Sequence, residues 1–322
     1  MVRSTNFDHQ ERSDAAKPTS KSLPSHVLCV QTYGELQRYA IAFAKGHLNF
    51  LVVLGHPGLG KSRCIRAAVG DGVCWIDGTA SPFGIYLAAY AHRDEKLVLD
   101  DVDGIYRDRA GVRLLKSLCQ SESIKSVSWR TDAATLQRRN IPGQFTTSSC
   151  VAVIANEWKS LNADVMALED RGHVISFEPS PLEVHRHAAS WFWDQEVFDF
   201  IAKNLHIIDR PSLRIYVLAY EVKKASLDWK TAVLSRCLYG AALEVARLKA
   251  DPSFACEDDR ARAFTASGYG CRATYFAHAR KLRQAGEVER IKLIGSPPTE
   301  LETSVFDLEQ LLRPRHGRLG NG

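Results

Sequence analysis

The sequence contains no apolar run that approaches the roughly 20 residues needed to cross a bilayer. Its polar N-terminus lacks the apolar stretch of a signal peptide, so we expect a cytoplasmic protein without a membrane partner. None of the eight cysteines forms a C-x-x-C pair, which argues against zinc and redox motifs and favours reduced, mostly buried thiols. We find no internal repeat, and the net charge of +5 is weak support for a nucleic-acid partner.

The sequence does contain the phosphate-binding pattern G-x-x-x-x-G-K-[ST], between a predicted strand at Phe50–Leu54 and a predicted helix. Its eight residues are Gly55, His56, Pro57, Gly58, Leu59, Gly60, Lys61 and Ser62. The glycines let backbone N–H groups close around phosphates, and the helix that follows adds its positive dipole end. Lys61 would reach the β and γ phosphates and Ser62 would ligate Mg²⁺, so we expect ATP and Mg²⁺ as ligands.

Short apolar segments alternate with helical ones along the first half of the chain. The predicted strands are 50–54, 73–76, 97–99, 150–155 and 173–177, and the predicted helices are 33–45, 61–69, 82–92, 112–119 and 163–168. This alternation predicts an α/β fold in which helices cover both faces of a parallel sheet. After the Pro-Ser-Pro at 179–181 only helical patterns follow, which include 212–224 and 228–238.

We therefore expect four regions along the chain. They are a disordered tail at 1–25, a nucleotide-binding core at 26–180, an all-helical lid at 181–252 and a small basic helical region with a mobile tail at 253–322.

Two carboxylates follow the apolar strand at 97–99. In a parallel sheet the carboxyl ends of the strands carry the site, so Asp100 and Asp101 would lie beside the phosphate loop. Asp100 would hold Mg²⁺ through water, and Asp101 would orient or deprotonate the attacking water. A solvated turn is the alternative for this Asp-Asp-Val-Asp-Gly segment, and the presence of the loop disfavours it.

Three further polar residues complete the candidate site. Asn156 follows the strand at 150–155 and would position the attacking water. Arg171 precedes an edge strand, from which it would project into a neighbouring subunit's nucleotide, whereas Arg214 opens a lid helix and would reach the phosphates of its own subunit. Either arginine could instead be a surface salt-bridge partner.

In order and approximate spacing these motifs resemble those of the AAA+ ATPases over about residues 30–240. The segments 55–62 and 97–101 and the residues Asn156, Arg171 and Arg214 match Walker A, Walker B, sensor 1, arginine finger and sensor 2. The resemblance implies a five-stranded core, a helical lid, ATP hydrolysis and a ring or filament in which Arg171 acts in trans. The Asp-Asp ending of the Walker B segment is similar to that of replication initiators, helicase loaders and transposition ATPases.

One segment exceeds what a minimal core of this family needs. Residues 121–149 lie between Asp101 and Asn156 and include a β-like stretch around Trp129 and the basic pair at 138–139. Their position resembles that of the hairpin in superfamily-three helicases, which implies contact with single-stranded DNA. The alternative is an exposed loop with an incidental tryptophan.

Basic side chains cluster near the C-terminus, interleaved with aromatic ones. The basic residues between positions 260 and 283 are Arg260, Arg262, Arg272, Arg280, Lys281 and Arg283. Two predicted helices, 258–266 and 272–282, flank a Gly-containing turn, as in a helix-turn-helix. In that interpretation Arg272, Thr274 and Tyr275 face DNA, whereas Arg280, Lys281 and Arg283 meet phosphates. A final helical pair of the lid with a solvated basic face is the alternative.

Two other motifs have simpler interpretations. His185 and His187 are two residues apart, a spacing that does not place them on one helix face, so we expect ordinary helix surface residues rather than metal ligands. The aromatic residues at 191–193, 198 and 200 are expected in the lid core.

The sequence thus predicts an ATPase that assembles on or remodels DNA or protein–DNA complexes, in replication or mobile-element maintenance. A superfamily-three-like helicase, a nucleotide-switched DNA-binding module with little hydrolysis, and a remodeller of protein partners are the alternatives. The basic segment at 313–318, which contains three arginines, would add nonspecific attraction to DNA.

Overall fold

The structure is a computed structural model of the 322-residue chain and describes residues 27–102, 104–130, 133–156, 168, 170–208 and 210–294. The strands within these ranges are β1 (Leu28–Val30), β2 (Phe50–Leu54), β3 (Val73–Asp77), β4 (Lys96–Asp100), β5 (Lys125–Ser128), β6 (Gln144–Thr147), β7 (Val151–Ala155) and β8 (His173–Phe177). The predicted tails at 1–25 and 313–318, and most of the predicted helix at 163–168, lie outside the described residues.

The described residues include six α-helices that lie among the strands and seven that follow them. The first group is α1 (Tyr33–Ala44), α2 (Lys61–Val69), α3 (Pro82–Ala91), α4 (Gly104–Arg107), α5 (Arg109–Leu118) and α6 (Ala133–Arg138). The second is α7 (Pro181–Ala188), α8 (Gln195–Lys203), α9 (Arg214–Lys224), α10 (Trp229–Leu234), α11 (Gly240–Ala250), α12 (Glu257–Ala266) and α13 (Arg272–Ile294). Strands β2 and β8 and helix α2 have the predicted bounds, whereas α13 continues past its predicted end at residue 282.

Six of the strands form one sheet in the order β1-β8-β2-β7-β4-β3, and every pairing in it is parallel. The resemblance implied five strands. The sixth is β1, which pairs with β8 at the edge. Its three residues are too few for a side-chain period to be visible in the sequence. The expectation that Arg171 precedes an edge strand is therefore wrong, because β8 lies between β1 and β2.

Apolar side chains cover both faces of the sheet. All five residues of β2 are buried, and they alternate between two apolar clusters. Leu51 and Val53 pack with α1, α2 and the helices after residue 181, whereas Phe50, Val52 and Leu54 pack with α3 and α5. Burial on both faces explains why the strand reads as a continuous apolar run. The predicted α/β fold class, with helices on both faces of a parallel sheet, is confirmed.

The described residues of the segment at 121–149 include two paired strands and a short helix. Its strands β5 and β6 pair antiparallel, with Val127 and Phe145 buried on one side. Trp129 packs against Phe83 of α3, with 5.6 Å between ring centroids. The interpretation of this segment as an exposed loop with an incidental tryptophan is therefore wrong, whereas its contact with single-stranded DNA stays a prediction.

From residue 181 onward the described part of the chain forms helices and no strand. Val245 and Leu248 of α11 share one buried cluster with Phe264 of α12 and Tyr275 of α13. This cluster crosses the predicted boundary at residue 252, and the division into regions stays a prediction. Within the described ranges, no helix combines the length and the hydropathy that a membrane crossing requires.

The prediction that both lid histidines are ordinary surface residues is wrong, because His185 is buried and His187 is half-buried against an aromatic ring. His185 is 9% exposed, stacks on Phe198 with 3.9 Å between centroids, and places Nδ1 2.9 Å from the Tyr216 hydroxyl. His187 stacks on Tyr33. An i,i+2 spacing points two side chains in different directions, and here both directions lead to aromatic partners.

The predicted aromatic core of the lid is only partly observed. Trp191 and Phe192 are buried, but Trp193 is 58% exposed and contacts Tyr220 edge-on. All eight cysteines are free, and only Cys74 and Cys119 are buried, so the expectation of mostly buried thiols is wrong.

Acid should destabilise this protein through His185. Burial lowers the pKa of His185 from its ordinary value of 6.5 to about 4, so the unfolded chain takes up the proton first as the pH falls. Stability is therefore lost between pH 6.5 and 4, by about 2 kcal/mol at pH 5 for this group. The free energy of unfolding, measured with urea at pH 7 and pH 5, should fall by about 2 kcal/mol less in His185→Gln than in the wild type. The exposed His47 provides the control, since His47→Gln should retain the wild-type difference; equal losses in all three proteins would contradict the assignment.

Candidate nucleotide-binding site

The loop that follows β2 owes its shape to glycine. Gly58 and Gly60 have φ values of 85° and 77°, in the left-handed region that side chains other than glycine rarely adopt. A Cβ atom at Gly58 would also overlap the Ser212 hydroxyl. Gly60 caps α2 without any side-chain hydrogen bond, so the first N–H groups of this helix remain directed at the loop. Such an arrangement suits an anion.

The register of the sheet brings the remaining polar residues to this loop. Leu54 pairs with Ala155, and Asp100 pairs with Ile154 on one side and Asp77 on the other. Strands β2, β7 and β4 therefore end at the same edge of the sheet. The residues directly beyond them meet there, as expected for parallel strands.

Lys61 lies at the centre of this edge. Its side chain is buried, and Nζ donates to the backbone oxygens of Gly55 (2.6 Å) and His56 (3.0 Å) and to Oδ1 of Asn156 (3.1 Å). The ammonium is thus held against both the loop and the end of β7.

The surroundings of Lys61 shift its pKa in opposite directions. Burial lowers the pKa of Lys61 from 10.5 to about 8, while the Asp101 and Asp100 carboxylates act in the opposite direction and Arg214 adds to the lowering. At neutral pH the side chain is therefore a partly desolvated cation, whose attraction for an anion exceeds that of a lysine in water.

Ser62 and Asp100 form the pair that could hold a metal ion. The Ser62 hydroxyl donates to Oδ1 of Asp100 at 2.8 Å, which places two oxygen ligands side by side. Burial raises the pKa of Asp100. The nearby carboxylates of Asp101 and Asp77 raise this pKa further, whereas the hydrogen bond from Ser62 and the charge of Arg66 lower it. A hydroxyl and a carboxylate beside a phosphate loop fit Mg²⁺, which takes one or two protein oxygens and completes its shell with water and phosphate. The described residues contain no cluster of three or more His, Cys, Asp or Glu side chains suited to a metal.

Asn156 joins the second carboxylate to the lysine. Its Nδ2 donates to Oδ1 of Asp101 at 2.9 Å, while its Oδ1 accepts from Lys61. Asp101 has a φ of 52°, which aspartate tolerates better than most residues, and its N–H donates to the Ile154 oxygen. The side chain at 101 is exposed to solvent.

The helical part of the chain after residue 181 contacts the loop directly. The Leu213 N–H donates to the Gly58 oxygen at 2.8 Å, and Arg214 begins α9 at the next position. The aliphatic part of the Arg214 side chain lies beside Gly58, and its charge acts on Lys61. These contacts bring Arg214 to the same loop as Lys61.

Arg171 lies at the other end of the sheet. It precedes β8, whose first residue pairs with Leu51 near the start of β2, and Leu51 is about 13 Å from the loop that follows that strand. Its Nη1 donates to the backbone oxygen of Lys116 in α5 at 2.7 Å. The structure therefore does not bring Arg171 to the loop of its own chain.

One of the C-terminal residues predicted to face DNA is buried instead. Tyr275 is fully buried, and its hydroxyl donates to Glu257 at 2.6 Å, so the expectation that Tyr275 faces DNA is wrong. It fills the core between α11, α12 and α13, which needs a large apolar ring at this position.

The other predicted DNA contacts lie nearer the surface. Arg272 pairs with Asp258 at 2.6 Å, and Thr274 contacts Cys271. The side chains of Arg280, Lys281 and Arg283 are exposed along α13.

Tyr33, the first residue of α1, also contacts the loop, although it lies outside every motif in the sequence. Its hydroxyl donates to the Leu59 oxygen of the phosphate loop at 3.0 Å. The capping box formed by Thr32 and Glu35 marks this helix start in the sequence, but no local pattern indicates that the helix begins beside the loop.

Comparisons with known proteins give distant similarities. No family model matches this chain. An uncharacterised 36.7 kDa protein from the nrdC–mobD intergenic region of Enterobacteria phage T4 is 25% identical over 120 residues, which are 34% of this chain and 37% of the phage protein. The match thus spans little more than a third of that relative's length. Two solved structures of Thermotoga maritima RuvB mutants align at 14% identity, with TM-scores of 0.43 and 0.41. They cover 76% and 77% of this chain, and the alignments span 86% of each RuvB chain.

Proposed function

We propose that this chain is an AAA+-type ATPase that binds ATP with Mg²⁺ and hydrolyses it while acting, as an oligomer, on DNA or protein–DNA complexes. One observation carries this proposal: the Asn156 amide links Lys61 to Asp101 at the loop, beside the Ser62–Asp100 pair. Three groups that hydrolysis needs then lie next to one another. They are a cation for the phosphates, a hydroxyl–carboxylate pair for the metal and a carboxylate for the attacking water.

Each residue would have a distinct role in hydrolysis. The loop amides and Lys61 would bind the β and γ phosphates, since a desolvated ammonium and converging N–H groups stabilise oxyanions. Asp101 would accept the proton of the water that attacks the γ phosphorus, and Asn156 would fix the position of that carboxylate and of the water. The products are ADP and phosphate.

The cation would be held by Ser62 directly and by Asp100 through water. When bound, Mg²⁺ supplies charge neutralisation at the β and γ oxygens. The hydroxyl and the carboxylate already lie 2.8 Å apart, so little rearrangement of these two side chains is needed.

The two arginines support an assembly of several copies. Arg214 would bind phosphate in its own subunit, from the lid. Arg171 would act in trans, because the length of β2 separates it from the loop of its own chain. A head-to-tail contact that places the start of β8 beside a neighbour's loop would complete the site, and repetition of this contact generates a ring or a filament.

The exposed cations of α13 support DNA as the partner. Arg280, Lys281 and Arg283 would meet phosphates, since exposed basic side chains that neutralise phosphates release the counterions of DNA. Steady-state ATP turnover should rise on addition of single- or double-stranded DNA, and neutralising these three residues should abolish the rise. Arg262→Gln, at an exposed guanidinium that pairs with Asp259, is the control and should retain it. Turnover that is indifferent to DNA would instead favour a protein partner.

A nucleotide-switched DNA-binding module is the second candidate. It is favoured by the short Asp101 side chain, which Asn156 already engages and which reaches less far than glutamate would. This candidate predicts slow turnover, and ATP-dependent DNA retention that survives Asp101→Asn. Loss of DNA retention in that variant would exclude it.

A further inference from the structure

Tyr33 bridges three parts of the molecule. It is the first residue of α1, its side chain is 8% exposed, and its hydroxyl donates to the Leu59 oxygen at 3.0 Å. Leu59 lies between the two left-handed glycines of the phosphate loop, Gly58 and Gly60. The phenol therefore contacts the loop at its most sharply turned point.

The lid holds the ring of Tyr33 in place. The imidazole of His187 in α7 stacks on it with 3.6 Å between centroids and 9° between planes. Phe177 packs edge-on from the end of β8, at 5.1 Å. The Tyr33 N–H donates to Oε1 of Glu183 in α7 at 3.0 Å. Ring and backbone are both fixed by these neighbours, so the hydroxyl has a defined direction.

Two consecutive carbonyl groups of the loop accept hydrogen bonds from residues outside the loop. The Gly58 oxygen accepts from the Leu213 N–H, and the Leu59 oxygen accepts from the Tyr33 hydroxyl. In a trans peptide, the C=O of one residue and the N–H of the next point in opposite directions. Drawing the Leu59 oxygen toward Tyr33 therefore turns the Gly60 N–H the other way. Burial also raises the pKa of Tyr33 well above its ordinary value, so the hydroxyl keeps the proton that it donates.

We propose that Tyr33 is a positioning residue of the phosphate loop: its hydroxyl holds the Leu59 carbonyl, and thereby presets the Gly60 amide for a bound phosphate. This inference rests on the proposed nucleotide site. It adds a residue outside the loop motif, and it assigns the lid a part in shaping the loop through His187 and Glu183.

The test is Tyr33→Phe, which removes the hydroxyl and retains the stacked ring. Isothermal titration with ADP and with ATP·Mg²⁺ should show affinities about fivefold weaker than wild type, the effect of one lost hydrogen bond. In turnover assays KM should rise while kcat at saturating ATP stays within about twofold, because the loop is restored once ligand is bound. A merely structural role would not produce this split.

Tyr216→Phe is the matched control. Tyr216 is also a buried tyrosine, and its hydroxyl contacts His185 in the lid rather than the loop. Both variants should lower the melting temperature of the unliganded protein similarly, but only Tyr33→Phe should weaken nucleotide binding. His187→Ala removes the stacked ring, leaves the hydroxyl, and should weaken binding about twofold.

The outcomes separate the two proposals. Wild-type protein that binds no nucleotide would overturn the proposed function and this inference with it. Wild-type binding with an unchanged affinity in Tyr33→Phe, or an equal loss in Tyr216→Phe, would overturn only the role of Tyr33.

Discussion

Replacing Asp101 with asparagine is expected to lower steady-state ATP turnover about 100-fold or more, while nucleotide affinity stays within about twofold. Asparagine keeps the shape of the side chain and tolerates the φ of 52°, so the backbone should not change. It cannot accept the proton of the attacking water, and this loss affects only the chemical step. Single-turnover hydrolysis, measured beside equilibrium binding of ATP, separates the two effects.

Asp94→Asn is the control for this experiment, since Asp94 is exposed just before β4, at the opposite end of that strand. It should retain wild-type turnover. Full activity in Asp101→Asn would contradict the role of the carboxylate. Asp101→Glu should not exceed wild-type activity, because a longer side chain fits the left-handed backbone less well and would displace the Asn156 contact.

Replacing Arg171 with alanine is expected to reduce turnover by about 100-fold or more, although its side chain lies far from the loop of its own chain. The guanidinium would stabilise the charge on the transferring phosphoryl group of a neighbour, so each copy's activity depends on the next copy. Nucleotide affinity should change little. Arg113→Ala, at an exposed arginine of α5, is the control and should remain active.

Mixing two inactive variants gives the sharper result. Lys61→Ala disables its own loop but retains Arg171, whereas Arg171→Ala retains its loop. Mixed assemblies contain interfaces with one intact loop and one intact arginine, and should regain roughly a tenth or more of the wild-type turnover. The recovered rate should pass through a maximum as the mixing ratio is varied. A mixture as inactive as its components would contradict action in trans.

The parts of the site that are local in sequence could be predicted from it. The loop at 55–62, the strand before it and the helix after it form one continuous segment, and the glycine positions report a backbone requirement. Asp100, Asp101 and Asn156 could be added because the ends of parallel strands meet at one edge. A short sequence pattern and the rule on parallel strands are enough to predict these residues as parts of one site.

The errors concern contacts between distant segments. The helix-turn-helix interpretation predicts that Tyr275 faces DNA because it lies near the start of the second helix, but burial against α11 and α12 decides its orientation. His185 and His187 carry no local mark of their aromatic partners. The role of Tyr33 depends on a hydroxyl and a carbonyl 26 residues apart. Side-chain environment is set by packing that periodicity does not encode.

The most direct test of nucleotide binding at residues 55–62 is calorimetric titration of ATP·Mg²⁺ into wild-type protein and Lys61→Ala. We expect one site per chain in the wild type and an affinity at least about 50-fold weaker in the variant, because a buried phosphate-binding cation is lost. Lys45→Ala, at an exposed lysine after α1, should bind as the wild type does. Absence of binding to the wild type, or equal affinity in Lys61→Ala, would contradict the assignment of the loop.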